Sequence, residues 1–329
     1  MSQLIDTFGR TITYLRLSVT DRCDFRCVYC MAEDMTFVPR SDVLSFEELA
    51  LVAQAFVELG VTKIRLTGGE PLIRKDIALA VEKIAAIEGL ETLCLSTNAS
   101  HLEAQAASLK AAGIDRINVS LDSLQPDKFK QLTRTGDVAK VIAGIDTAIE
   151  AGFVGLKINA VILRGRNDDE ILDLVDFARQ RNIDVCFIEE MPLGSIIEHN
   201  RSLAFMPSAE IKEVIETRYT LTPTGESTGG PARYFTMPDA SSRVGFISPH
   251  SDNFCGQCNR VRVTAEGTLI LCLGNEDAVD LRHIIRNNAH PLPLLKQAIT
   301  AAMAYKPEKH HFDLDAPVDI VRFMNATGG

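Results

Sequence analysis

Short runs of apolar residues at a two-residue period alternate, as far as about residue 217, with longer segments whose apolar positions recur at i, i+3 and i+4. The first kind predicts strands at 12–19, 63–66, 92–96, 116–121, 155–162 and 184–188. The second predicts helices at 46–59, 77–87, 102–112, 138–151, 169–180 and 208–217. Ser45 with Glu48 reads as a capping box, and Gly60, Gly113 and Gly152 stand just past helix ends. Six strand–helix units in series imply a parallel sheet with helical crossovers. Periodicity does not choose between a partial barrel and an open doubly wound sheet.

The alternation then stops. Residues 222–239 are rich in Pro, Gly, Ser and Thr and mark a loop or boundary, so the expected division is a domain of residues 1–230 and a second of 231–329. Beyond it come strand-like runs at 243–247, 260–264 and 268–272, then helical segments at 278–286 and 292–304.

Composition narrows the class. The 329 residues are 46% hydrophobic and 24% charged, which excludes disordered, collagenous and coiled-coil chains. The net charge, 34 − 44 = −10, argues against a general binder of nucleic acid or membrane surfaces. An anionic substrate would need a local basic patch. No apolar run approaches the roughly 18 residues of a membrane span, and Met1-Ser2-Gln3-Leu4-Ile5-Asp6 lacks a signal-peptide profile. The expectation is a cytoplasmic protein, in which eight cysteines serve as ligands, catalysts or small buried hydrophobes rather than as a disulfide framework.

Their spacing carries the chemistry. Cys23, Cys27 and Cys30 form CxxxCxxC in the loop after the first predicted strand, and three thiolates so placed can wrap one iron–sulfur centre. A four-iron cubane would keep one iron open. Cys255 and Cys258, followed by Cys272, form a second triplet. A CxxC alone also suits a redox pair or half a zinc site, but a strand-like run rather than a helix follows it, and no second CxxC or His pair completes a zinc ribbon. A second three-thiolate cluster fits better. Cys94 and Cys186 lie inside strand runs and read as core residues.

Cys23-x-x-x-Cys27-x-Tyr29-Cys30, with Thr67-Gly68-Gly69-Glu70-Pro71 after the second strand, resembles the signature of the radical S-adenosylmethionine (SAM) enzymes. The likeness continues through Ile117–Ser123, Phe187-Ile188-Glu189, Met191-Pro192-Leu193-Gly194, Gly245–Pro249, Phe254–Arg262 and the terminal Gly328-Gly329. It runs from about Thr7 to the last residue and is most similar to the branch of that superfamily that cyclises GTP in molybdenum cofactor biosynthesis.

The resemblance implies a partial (β/α)6 TIM-like barrel with a C-terminal α+β segment carrying a second cluster. It implies two [4Fe-4S] clusters, one held by Cys23, Cys27 and Cys30 with SAM, the other by Cys255, Cys258 and Cys272 with the substrate. Tyr29, Gly69, Ser120 and Met191 would line the SAM site. Arg16, Lys63, Arg65, Ser96, Lys157, Arg260, Val261 and Arg262 would face GTP, and Gly328 and Gly329 would form a tail reaching the active site. The reaction implied is abstraction of the ribose C3′ hydrogen and attack on guanine C8, giving 3′,8-cyclo-7,8-dihydro-GTP. An electron donor such as flavodoxin or ferredoxin, cyclic pyranopterin monophosphate synthase as the next enzyme, and a homodimer are the implied partners.

Four positions depart from the pattern. Ser96 stands for Thr, Ala99 for a Gly in a turn, and Cys186 for a basic residue, while Met31-Ala32-Glu33 replaces Met-Pro. The alternatives are another radical SAM enzyme with an auxiliary cluster, such as a peptide-modifying one, and a non-catalytic zinc module.

Overall fold

The computed structural model describes residues 3–194, 196, 199–314 and 320–328. Its centre is six strands, β1 (Tyr14–Ser18), β2 (Lys63–Thr67), β3 (Thr92–Thr97), β4 (Arg116–Ser120), β5 (Lys157–Val161) and β6 (Asp184–Ile188). They lie side by side in chain order, every neighbouring pair parallel. The crossovers are α1 (Phe46–Glu58), α2 (Ile77–Ala85), α3 (Leu102–Ala112), α4 (Pro126–Thr133) with α5 (Val138–Glu150), and α6 (Ile171–Arg181). After β6 come α7 (Arg201–Ala204) and α8 (Ser208–Glu216).

The remaining strands are β7 (Thr222–Pro223), β8 (Arg233–Met237), β9 (Ala240–Ile247), β10 (Arg260–Val263), β11 (Thr268–Ile270) and β12 (Ala278–Asp280). They extend both edges of one twelve-stranded sheet. β9 joins β6 in parallel and carries β8 and β7, while β10 joins β1 in parallel and carries β11 and β12. Helices α9 (Leu281–Asn287), α10 (Pro291–Ala302) and α11 (Met324–Thr327) complete the chain.

Strand alternation sorts the two faces. Leu15, Leu17, Ile64 and Leu66 join Phe56, Val52 and Leu49 of α1 in the main core. Arg16, Arg65, Ser96, Ser120, Lys157 and Arg262, from six strands, front a single cavity on the other face. A flat sheet could not direct so many strands at one space, so the inner face curls around it, an arrangement compatible with an open partial barrel. Among the described residues, no helix is long and apolar enough to cross a membrane.

The six predicted strands and the helices between them are present. Three readings need correction. Residues 222–239 are not merely a loop, since Arg233–Met237 pairs antiparallel with β9, its alternation hidden by the preceding Gly- and Pro-rich stretch. The helix expected at 278–286 begins as β12, and α9 starts only after Asp280, whose carboxylate accepts from the His283 N–H at 2.9 Å. The helix α4 was not anticipated, because a single turn of apolar residues, Phe129 and Leu132, anchors it.

The α1 capping box is as read, with Glu48 N–H donating to Ser45 Oγ at 3.1 Å and Ser45 N–H to Glu48 Oε2 at 2.7 Å. Ser45→Ala should lower the unfolding free energy by about 1 kcal/mol. Urea denaturation of the cluster-free chain checks this, and an unchanged midpoint would contradict the cap's contribution.

Candidate functional site

The loop ends beyond the C-terminal edge of the parallel strands are locked together before any ligand is considered. Gly69 N–H donates to Thr20 carbonyl oxygen at 2.9 Å and Glu70 N–H to that of Arg22 at 2.8 Å, fastening the glycine loop after β2 to the cysteine loop after β1. Backbone passes so close that a Cβ at Gly68 would strike the Thr20 carbonyl and one at Gly69 the Arg22 carbonyl. Glu70, fully buried, accepts from Leu72 N–H at 2.8 Å, Thr97 Oγ1 at 2.7 Å and Asn98 N–H at 2.6 Å, adding the end of β3 to the assembly. Burial pushes its carboxyl up to about 7 against those three donors.

Cys23, Cys27 and Cys30 front the cavity from this loop. Burial raises all three thiols, with Glu70 adding to the effect at Cys23 and Cys30 to that at Cys27, and Cys30 is pushed up to about 12. Buried thiols that oppose one another's ionisation form a site that a cationic centre would relieve. Tyr29, on the same loop, donates its hydroxyl to Asp122 Oδ2 at 2.7 Å, and Asp122 Oδ1 accepts from Val161 N–H at 2.8 Å. Gly69, Ser120 and Met191 front the same cavity.

The second triplet fronts it too. Cys255 opens a 3₁₀ turn, Cys258 precedes β10 and Cys272 follows β11. Arg10 pins this region by donating to the carbonyls of Cys255 at 2.8 Å and Pro307 at 2.7 Å while paired with Asp6 at 2.6 Å. Burial works against ionisation of Cys258, yet the Arg260 and Lys306 cations hold its thiol below the ordinary value, with Lys306 Nζ 3.8 Å from its sulfur.

Topology separates the triplets. Because β10 runs parallel to β1 and β11 antiparallel to β10, Cys258 and Cys272 lie at the N-terminal end of the parallel strands, and Cys23 lies past the C-terminal end. The length of β1, about 13 Å at 3.3 Å per residue, lies between. The expected cations occupy that interval. Sheet register lines up Arg260, Tyr14 and Lys63 in one row and Arg262, Arg16 and Arg65 in the next.

Each is held. Arg65 donates to Tyr14 Oη at 2.7 Å and to the Leu95 carbonyl at 2.8 Å, and Lys157 Nζ donates to Tyr234 Oη at 2.9 Å. Lys63 donates to the Thr228 carbonyl. Arg16 and Arg262 both donate to the Gly328 carbonyl oxygen, Arg16 at 3.1 and 2.9 Å. Burial, partly offset by Tyr14, holds Arg16 down to about 10, and Arg262 is lowered further by burial and by Arg16 beside it. A guanidinium keeps its proton in a protein, so this mutual repulsion amounts to affinity for an anion.

Ser96 also fronts the cavity. Val261 does so with its main chain, since its side chain packs in the core. Gly328 reaches the rows by way of α11, which is docked on the first cysteine loop through Met324 N–H to the Cys30 carbonyl at 3.2 Å and Asn325 Nδ2 to that of Asp21 at 2.9 Å. Gly329 lies outside the described residues. Ala99 adopts φ +61° at its turn, and Cys186, fully buried, packs with Ala232 and Tyr234. Sequence reasoning passed over Tyr14, Asp122 and Tyr234. The first was within reach, because strand alternation puts residue 14 on the same face as Arg16.

Two family models match the chain. Residues 17–178 match the radical SAM superfamily and residues 183–312 match Molybdenum Cofactor Synthesis C. A GTP 3′,8-cyclase of Marinobacter nauticus is 57% identical over 328 residues, covering 100% of this chain and 99% of that protein. One from Pseudomonas syringae pv. syringae is 58% identical over 327 residues, covering 99% and 98%.

The chain belongs to the GTP 3′,8-cyclase family.

The solved structure of Streptococcus suis SuiB bound to S-adenosylmethionine is similar in fold, with a TM-score of 0.59 at 15% identity over 90% of this chain and 69% of that one. For a GTP 3′,8-cyclase family member, the radical SAM superfamily implies a [4Fe-4S] cluster and SAM. The soft donor set of three cavity-facing thiols fits such a group.

Gly69→Ala should displace the Asp21–Cys23 backbone and depress iron binding at the first triplet. Iron per chain, measured with Cys255, Cys258 and Cys272 all changed to Ala, checks this; full iron loading would contradict the close approach at Gly69.

Proposed function

We propose that this protein converts GTP into 3′,8-cyclo-7,8-dihydroguanosine 5′-triphosphate, the first step of molybdenum cofactor biosynthesis. The carrying observation is that two cysteine triplets open onto one cavity from opposite ends of the parallel strands, with two rows of cations between them, Arg65 buried and the others half-buried. Its relatives at 57–58% identity are named for this reaction.

In this reading Cys23, Cys27 and Cys30 hold the SAM-binding cluster, and Cys255, Cys258 and Cys272 hold a second [4Fe-4S] cluster. When bound, the first cluster and SAM supply a carbon-centred radical able to abstract hydrogen from an unactivated ribose carbon. The chain's own part is placement and exclusion of water. Tyr29, fixed by Asp122, together with Gly69, Ser120 and Met191 forms the SAM wall. Arg16, Lys63, Arg65, Lys157, Arg260 and Arg262 take the triphosphate in an otherwise acidic chain, the guanidinium forks suiting phosphate oxygens. Ser96 and the main chain at Val261 complete the GTP wall, with guanine directed to the second triplet.

Gly328, lodged between Arg16 and Arg262, and Gly329 form the tail that reaches the site. Residues 1–230 supply the barrel and the first cluster, and 231–329 the second cluster, with the sheet running through both. A small electron-transfer protein of the flavodoxin or ferredoxin type would supply reducing equivalents, cyclic pyranopterin monophosphate synthase would consume the product, and the working form would be a homodimer in the cytoplasm.

Anaerobic incubation with SAM, GTP and a reductant should give 5′-deoxyadenosine only when GTP is present. Formation independent of GTP would overturn the substrate reading, and a peptide-modifying enzyme would then be the better account. Cys272→Ala should reduce the reconstituted chain from about eight irons to about four and abolish GTP turnover. Unchanged turnover would remove the second cluster from the reaction, and a zinc-containing, iron-free wild type would refute both cluster assignments.

A further inference from the structure

Among the described residues, a tyrosine able to lose its proton stands within the two cation rows. Tyr14 lies between Arg260 and Lys63 in its own row and beside Arg16, Arg65 and Arg262 in the next. Its side chain is buried, its Oη accepts from Arg65 Nε at 2.7 Å, and Lys63 Nζ stands 4.6 Å from the centre of its ring. Cys94 faces the group from β3, and Lys157 with Tyr234 completes the surroundings from β5 and β8 through Arg65 and Lys63.

We propose that Tyr14 is the resident counter-ion of this cluster, a positioning residue whose Oη holds Arg65 for the substrate's phosphates and which takes up a proton when a triphosphate binds. The proposal rests on the reading of GTP as substrate. Four or more like charges packed within neighbouring strands repel one another, and a phenolate in their midst lowers that energy at no cost in space. Burial alone would raise the phenol, but Arg65, then Arg16 and Lys63, outweigh it and pull it down to about 7. A bound triphosphate brings several negative charges to the same cations. Their pull on Tyr14 is then cancelled, the phenol returns toward its ordinary range near 10, and one proton moves from solvent to Oη.

The sign of the linkage is fixed. The bound state holds more protons than the free state, so affinity is highest below the free-state value and falls as pH rises above about 7, approaching tenfold per pH unit at full coupling. GTP's own ionisation affects every variant alike. Tyr14→Phe keeps the ring beneath Lys63 and removes the hydroxyl.

The test is calorimetric titration of the anaerobically reconstituted enzyme, with SAM and without reductant, by GTP at about pH 8 in two buffers of different ionisation enthalpy. The wild type should take up close to one proton per GTP bound, and Tyr14→Phe close to none. Guanosine, which lacks phosphates, should drive no uptake in either. The Kd for GTP should weaken between about pH 7 and 8.5 for the wild type and stay flat for the variant. GTP binding with equal proton uptake in both proteins would overturn the inference and leave the substrate reading intact. No GTP binding to the wild type would overturn both. If Tyr14→Phe does not load iron like the wild type, the wild type decides alone: a Kd independent of pH above about 7 refutes the proposal.

Discussion

The register of β1 between β10 and β2 is the constraint from which the site follows. Strands in a sheet lie about 4.8 Å apart, so residues in register are neighbours whether or not their chemistry favours it. Here register sets Arg260, Tyr14 and Lys63 abreast, then Arg262, Arg16 and Arg65. A one-residue slip of any of the three strands would exchange these side chains with Leu15, Val261 or Ile64 and put charge into the helix-facing core. The apolar residues on the other face therefore hold the cations where they are. Burying Leu15, Leu17, Ile64, Leu66 and Val263 against the helices supplies the energy that keeps guanidinium groups at close range.

The same sheet sets the distance between the two cysteine loops. The first triplet hangs beyond one end of β1 and the second gathers at the other through β10 and β11, so their separation is a strand length rather than a property of flexible loops. Each loop is then fixed by contacts that owe nothing to metal. Gly68 and Gly69 let two backbones pass within contact distance, Glu70 ties in β3, and Arg10 grips the second loop through carbonyls on two segments. Functional sites of this precision are built on rigid elements, and the rigidity here is main-chain hydrogen bonding to buried side chains.

Much of this was legible in the chain. The strand–helix alternation gave six units, and strand ends placed Cys23, Gly69, Asn98 and Met191 on one rim, because the two-residue and 3.6-residue periods are unambiguous when each element buries a face. What periodicity could not show was pairing between distant segments. That β10 would flank β1 and β9 would flank β6 depends on contacts across more than 50 residues, and β8 was obscured because Gly229, Gly230 and Pro231 dominate its approach. Tyr14 was missed for a different reason. An aromatic residue at a strand start reads as core, and only the identity of its cross-strand neighbours shows that its hydroxyl stands among cations.

Those neighbours also resolve how a chain of net charge −10 can hold a polyanion. Surface carboxylates act at long range and are screened within about 8 Å at physiological salt. The rows act at contact distance, from groups largely shielded from water, and among the described residues they are met by the carbonyls of Gly328, Thr228 and Leu95, by the hydroxyl of Tyr234 and, at Arg65, by the Tyr14 oxygen. Carbonyl dipoles hold such cations in place without neutralising them. The positive charge left beyond Tyr14 faces the cavity that both cysteine triplets line, so a ligand must enter that cavity to meet it. The acidic exterior then works in the same direction by turning extended polyanions away, so that bulk charge and local charge select jointly for a small nucleotide.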